Sequence, residues 1–337
     1  MKYVEGDILT INGFESGYLG FDDNVIIERG GKTAPAETVA KGIIVPGFFN
    51  AHTHIGDSFI RRRRIPLPRS IEELVAPPNG LKHRLLRETP DQEIIDGMIE
   101  SILYMRRTGV FSFCDFREDG LRGVMQLKNA LRQEYMKCLI LSRPRGLKYD
   151  KEELKLLLES SDGIGVSSIS DWDYEELKKI SRETKKKNKI FSLHASERIR
   201  EDIDDILDLK PDILVHMNQA ALSDLIRVKE NNIPVVVCPR SNAFFGLKIN
   251  YEYLKESRVR ILLGTDNMML HEPDIIEEVK HIMMESNVFN LHDLLMMITY
   301  NPRKVLNEDG DILVEDSKSS FVVLDRGSLK PVYIHRC

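Results

Sequence analysis

Eight apolar, often β-branched runs, separated by stretches of helical period, constrain this chain more than any single residue does. Beginning with the strand that carries His52, they recur at Val110–Phe116, Cys138–Leu141, Gly163–Ile169, Lys189–His194, Ile213–His216, Val235–Cys238 and Arg260–Gly264. Between them, Asp91–Arg107 and Tyr174–Lys187 repeat apolar residues at helical spacing and carry charged outer faces. Strands that alternate with helices pair in parallel, so the fold class is α/β. A (β/α)8 TIM-like barrel is the economical closure, and a doubly wound open sheet is the alternative. A chain of 337 residues, 42% hydrophobic and 30% charged, can bury a core of that size.

The ends have a different character. Asp7–Ile11 and Asn24–Glu28 are short β-prone pieces broken by turns, and Ser320–Asp325 and Val332–His335 match them in style. Neither end holds enough residues for a core of its own. The expectation is one small β-sandwich formed by both chain termini, residues 1–45 with 310–337, and a barrel over residues 46–309.

Charge and composition exclude several classes. A net charge of -5 gives no basis for binding nucleic acid. No apolar run approaches the ~20 residues of a membrane helix, and Met1–Asp7 lacks the apolar core of a signal peptide. A cytoplasmic protein is expected, with Cys114, Cys138, Cys238 and Cys337 as reduced thiols, since their spacing suggests no staple.

Polar residues gather where the strands end. His52 and His54 are two apart in an extended segment, so both imidazoles point to one side. The fifth strand runs into His194-Ala195-Ser196-Glu197, the sixth ends on His216, the seventh on Cys238-Pro239-Arg240-Ser241-Asn242, and the eighth on Gly264-Thr265-Asp266. In a barrel these ends converge on the mouth, bringing four histidines and an aspartate together. Taken singly, each histidine reads as a satisfied core residue; taken together, they read as a site. Arg117, Arg143 and Arg240 also fall at predicted mouth positions, and guanidinium pairs well with carboxylate or phosphate, so an anionic substrate is expected. The run Arg61–Arg64 is either part of that anion site or a solvated or subunit-facing loop. His83 reads as a surface or helix-packing residue, and Met268-Met269 as an apolar wall beside Asp266.

The run Pro46-Gly47-Phe48-Phe49-Asn50-Ala51-His52-Thr53-His54, followed in order by His194-Ala195-Ser196-Glu197, Val215-His216-Met217-Asn218, Cys238–Asn242 and Leu262–Asn267, resembles the signature of the amidohydrolase superfamily. More narrowly it is similar to the aminohydrolase and chlorohydrolase branch, which includes cytosine, guanine and adenosine-type deaminases and triazine hydrolases. The resemblance runs from residue 42 to about residue 325. It implies that His52, His54, His194 and Asp266 hold one divalent metal ion, Zn2+ or Fe2+. Members with two metals bridge them with a lysine or glutamate on the fourth strand, and Gly163–Ile169 offers neither, which implies a mononuclear site.

The same resemblance implies hydrolytic deamination of a heterocyclic amidine, a small-molecule substrate, with release of ammonia. Asp266 would take the proton of the attacking water, His216 would orient that water, and Glu197 would protonate a ring nitrogen. Arg117, Arg143, Arg240 and Asn242 would contact the substrate. Two alternatives stay open: opening of a cyclic amide, as in imidazolonepropionase-like relatives, and a catalytically silent metal-binding scaffold. Similar proteins are often dimers, so a homodimer is the assembly to test. Two departures from the branch stand out: Val237 where relatives often carry histidine, and Asn267–His271 in place of a serine-rich segment.

Overall fold

The computed structural model describes residues 1–305 and 313–337, and the expected domain boundary between 309 and 310 lies outside the described residues. The chain divides into two compact units, one of Met1–Phe49, Met105–Phe111 and Ile275–Cys337, the other of Asn50–Tyr104 and Ser112–Asp274. Among the described residues, no helix is long and apolar enough to cross a membrane.

The unit that holds both chain ends is built on one six-stranded sheet. Its order is Pro331–His335, Phe321–Leu324, Thr38–Pro46, Lys2–Thr10, Gly13–Phe21 and Ile26–Gly31. The termini therefore meet, with Phe321–Leu324 antiparallel to Thr38–Pro46. Val4, Ile8, Leu19, Phe21, Ile44, Phe321 and Val323 bury one face in a single cluster, where Phe21 and Phe321 pack edge to face at 4.9 Å. Each such side chain removed from water contributes about 1.5–3 kcal/mol. Gly6 stands in register with Gly17 on one side and Gly42 on the other. A Cβ at any of the three would overlap a backbone oxygen of the adjoining strand, a close approach that only glycine permits.

The second unit carries a parallel sheet of nine strands: β1 (Phe48–His54), β2 (Val110–Arg117), β3 (Lys137–Ser142), β4 (Gly163–Val166), β5 (Ile190–Ala195), β6 (Ile213–His216), β7 (Val235–Val237), β8 (Ile261–Leu263) and β9 (Asp266–Asn267). Their order is β8-β7-β6-β5-β4-β3-β2-β1-β9. β4 and β7 are buried along their whole length, as continuous apolar runs covered on both faces should be, and β1 is buried throughout despite its polar residues. The eighth expected strand is two pieces split at Gly264-Thr265: β8 pairs with β7, and β9 pairs with β1. Both edges of the sheet thus come from one short run of chain. Gly264 permits the crossing, because a Cβ there would lie 2.6 Å from the Cβ of His52. Asn50 secures it, donating to Thr265 Oγ1 at 2.7 Å and accepting from the Thr265 amide at 3.1 Å.

The helix Tyr174–Lys186 shows why the connecting segments fold as they do. Asp173 caps it by accepting from the Glu176 amide, and Leu177, Ile180 and Thr184 form its buried stripe. Lys185 and Lys186 close its last turn, where positive charge suits the dipole. Asn188, at φ 51°, ends the run before β5. Replacing Asp173 by alanine would remove the cap, at about 1 kcal/mol.

Candidate active site

β1 presents His52 and His54, β5 His194, β6 His216, and β9 opens on Asp266; all five are buried or nearly so. Nε2 of His52 lies 3.3 Å from Asp266 Oδ1, and Nε2 of His54 lies 3.4 Å from the same oxygen. Nε2 of His194 faces Nε2 of His52 at 3.2 Å. One ligand atom each from His52, His194, His216 and Asp266 falls within 4.8 Å of the others. His216 and Asp266 hold left-handed backbone, at φ 75° and 57°. That conformation costs a non-glycine residue about 1–3 kcal/mol and gathers at functional sites.

Protonation states follow from burial. It pushes the imidazole of His54 down to about 4 and that of His216 to about 3, and takes His194 well below its ordinary range. Those rings are neutral at pH 7, each with one bare nitrogen. Burial alone would raise Asp266, but the hydrogen bond from His52 and the surrounding imidazoles hold it well below the usual carboxylate range. Two imidazole nitrogens facing each other at 3.2 Å cannot both carry a proton on that line. A divalent ion held there would satisfy them together with the carboxylate. Imidazoles with one carboxylate suit zinc or ferrous iron, so the residues fit such an ion.

The supporting contacts fix which nitrogen is bare. His54 Nδ1–H donates to the Phe116 carbonyl at 3.1 Å, with Glu118 Oε1 2.8 Å from the same nitrogen, leaving Nε2 toward Asp266. His194 Nδ1–H donates to the Val166 carbonyl at 2.8 Å, leaving its Nε2 toward His52. Ser241 Oγ–H donates to Asp266 Oδ2. Asp115 holds the end of β1 by accepting from Thr53 Oγ1 at 2.9 Å and the Ile55 amide at 2.7 Å.

A cleft borders this cluster, and its walls include Lys82, Glu118, Arg143, Ser167, Asp171, Glu197, Arg198 and the apolar side chains of Ile71, Val75 and Pro77. Glu197 Oε1 stands 3.5 Å from His216 Nε2. Burial, then the charge of Asp266, pushes the Glu197 carboxyl up to about 8, so it holds its proton at neutral pH.

Of the four residues expected at the substrate, Arg143 lines the cleft. Arg117, Arg240 and Asn242 do not. The Arg117 guanidinium is turned into the protein, donating to Asp115 Oδ1 at 3.1 Å and Glu118 Oε2 at 2.6 Å. Arg240 donates to the carbonyls of Glu272 at 3.0 Å and Asp274 at 3.2 Å, and Asn242 is buried and donates to Asn218 Oδ1 at 3.1 Å. A strand end fixes where a side chain starts; nearby carboxylates and carbonyls decide where its polar head goes.

The arginine run is absorbed in a similar way. Arg61 binds the Met268 and His271 carbonyls and Glu272, Arg62 pairs with Glu100, and Arg63 pairs with Glu93. Met268 and Met269 are buried away from the cleft lining, and His83 is buried with Nε2–H donating to the Val75 carbonyl at 2.9 Å.

Sequence reasoning missed Lys82, Glu118, Ser167, Asp171 and Arg198. Glu118 had a signal, since it directly follows Arg117 at the end of a buried strand. Lys82 had none: it sits in a connecting segment, and lysine is almost never fully buried unless paired.

Comparison with known proteins gives a consistent picture. Residues 43–324 match the sequence model of the Amidohydrolase family. An uncharacterized protein of Methanocaldococcus jannaschii is 37% identical over 295 residues, covering 82% of this chain and 76% of that one. A 5-methylthioadenosine/S-adenosylhomocysteine deaminase of Caldicellulosiruptor saccharolyticus is 27% identical over 330 residues, covering 87% and 72%. Among solved structures, an adenosine deaminase from Xanthomonas campestris with bound zinc superposes with a TM-score of 0.75 at 16% identity, over 99% of this chain and 87% of that one.

Proposed function

The chain belongs to the amidohydrolase family, as an enzyme that hydrolyses carbon–nitrogen bonds, and we propose that it deaminates a nucleoside-like heterocyclic amidine bearing an acidic group. The observation that carries the reading is Glu197: a carboxyl that keeps its proton at pH 7, 3.5 Å from His216, beside a cluster built to hold a metal.

His52, His54, His194 and Asp266 would hold one divalent ion, with His216 close by. A metal bound there lowers the pKa of water from 15.7 to about 7. Asp266 accepts a proton from the attacking water, and His216 orients that water toward the amidine carbon. Glu197 gives its proton to the ring nitrogen as the carbon becomes tetrahedral. When the intermediate collapses, the new hydroxyl returns a proton to Glu197, and the proton held by Asp266 leaves with the amine as ammonia. Water is consumed, a ring carbonyl forms and both carboxyl groups return to their starting states.

Arg143 supports the acidic group on the substrate. It is 8% exposed, it lines the cleft, its nearest carboxylate oxygen is Glu118 Oε1 at 3.7 Å, and among the described residues no hydrogen bond engages its guanidinium. A cation held that way favours a carboxylate or phosphate delivered by a ligand.

The same reading takes the nine-stranded parallel sheet as a closed (β/α)8 barrel, supported by β8 and β9 pairing with opposite edges. It takes the terminal sheet as a small sandwich, doubled over along the row of Gly6, Gly17 and Gly42, because Val4 and Ile8, from either side of that row, share one cluster.

The test is ammonia release by protein reconstituted with zinc or ferrous iron, across aminated purines, pyrimidines and pterins and their carboxylated or phosphorylated forms. Release by the wild type is expected, with kcat lowered by about 10²–10⁴-fold in Glu197→Gln at unchanged metal content. Full metal binding without ammonia from any compound would overturn deamination and send the search to cyclic amides.

A further inference from the structure

We propose that Lys82 and Glu118 are positioning residues for the metal: Lys82 on the helix Leu81–Glu88 holds Glu118, which holds His54, so that retention of the ion depends on this helix. The inference rests on the reading of His54 as a ligand.

Lys82 Nζ lies 2.6 Å from Glu118 Oε1, and that oxygen lies 2.8 Å from His54 Nδ1. An ammonium has three donors. Asn267 Oδ1 accepts one of them at 2.8 Å, while Glu118 Oε1 and, at 3.4 Å, Asp57 Oδ2 are ion-pair partners, and Lys82 is only 2% exposed although it borders the cleft. Its three partners belong to different elements. Glu118 follows β2, Asn267 is on β9, and Asp57 lies in the 3-10 turn after β1. These are neighbours in the order β2-β1-β9, where the two ends of the eighth run and the first strand come together. One ammonium therefore gathers the three segments around His54 and Asp266.

Arg117 also holds Glu118, donating to Oε2 at 2.6 Å, and is itself held by Asp115. A carboxylate so held keeps the His54 ring from turning and makes its other nitrogen a better donor to a metal. Loss of such a partner costs about 10–100-fold in metal affinity. The helix that carries Lys82 is eight residues long, too short to be stable alone, and depends on its docking.

The experiment follows chelator-driven release of zinc from the full chain, for wild type, Lys82→Met and Glu118→Gln, with amide hydrogen exchange over residues 81–88. Removing a nearby positive charge would by itself hold a cation more tightly and slow its release. Loss of positioning does the opposite, so the direction of the change separates the two. We expect one zinc bound by the wild type and release about 10–100-fold faster in both variants. Metal removal should speed exchange of residues 81–88 in the wild type and leave it unchanged in Lys82→Met. Release from folded Lys82→Met at or below the wild-type rate would overturn the inference; should that variant not fold, Lys82→Gln, which also removes the positive charge, decides by the same criterion. A wild type that bound no zinc would overturn the metal reading itself, and this inference with it.

Discussion

His52, His54, His194, His216 and Asp266 stand on or at the ends of buried strands, held by ladders within the sheet, whereas Lys82 stands on a short helix in the segment between β1 and β2. Both regions place charge or lone pairs around one point. The strand ends do so with backbone that cannot move without breaking the sheet; the connecting segment does so with ion pairs that can break singly. The difference teaches that damage to the first region should be all or nothing, and damage to the second graded.

The largest effect should come from the strand ends. Asp266→Ala removes the proposed ligand and base together, and is expected to lose the bound metal and on the order of 10³-fold or more in turnover, checked by elemental analysis alongside ammonia release. A variant that kept its metal and most of its rate would erase the contrast. Arg143→Met tests the cleft wall between the two regions. It should raise KM for an acidic amidine by roughly 10–100-fold, about 1.4–2.7 kcal/mol, while leaving kcat and neutral substrates nearly unchanged. Equal effects on acidic and neutral substrates would make Arg143 a packing residue instead. The smallest effect belongs to Arg62, nearly half exposed and 3.3 Å from Glu100. Arg62→Ala should change stability by less than about 1 kcal/mol and activity not at all, measured by urea unfolding and steady-state kinetics.

How far the sequence could be read follows the same division. Val110–Arg117, Lys137–Ser142 and Ile213–His216 appear as strands within a residue or two of the apolar runs that predict them, because a strand buried on both faces has to be apolar throughout. Gly163–Ile169 is shorter than its pattern, since strand gives way after Val166 and Ile169 enters a 3-10 turn. Gly13–Phe21 is a strand that the β-prone pieces at Asp7–Ile11 and Asn24–Glu28 leave out; at Gly17 the adjoining strand approaches too closely for a side chain. In the site, the histidines and Asp266 were legible by their position at strand ends. The heads of Arg117 and Arg240 were not, because their direction is set by Asp115, Glu118 and carbonyls on other elements. Lys82 is the extreme case, paired with Asn267 across most of the chain.

The pairing of β9 with β1 also sets a clock on the making of this protein. Asp266 is synthesised roughly 200 residues after His54, which at about 5–20 residues per second is a delay on the order of 10–40 s. During that interval the nascent chain carries two, then three, then four of the site histidines and no Asp266 to complete them, and β1 and β7 each lack the neighbour that will cover one edge. Unpaired edges invite wrong partners. A stalled or truncated product ending before Gly264 would be both metal-poor and adhesive, so the last turn of synthesis at the eighth run decides at once whether the chain is loaded and whether it stays in solution.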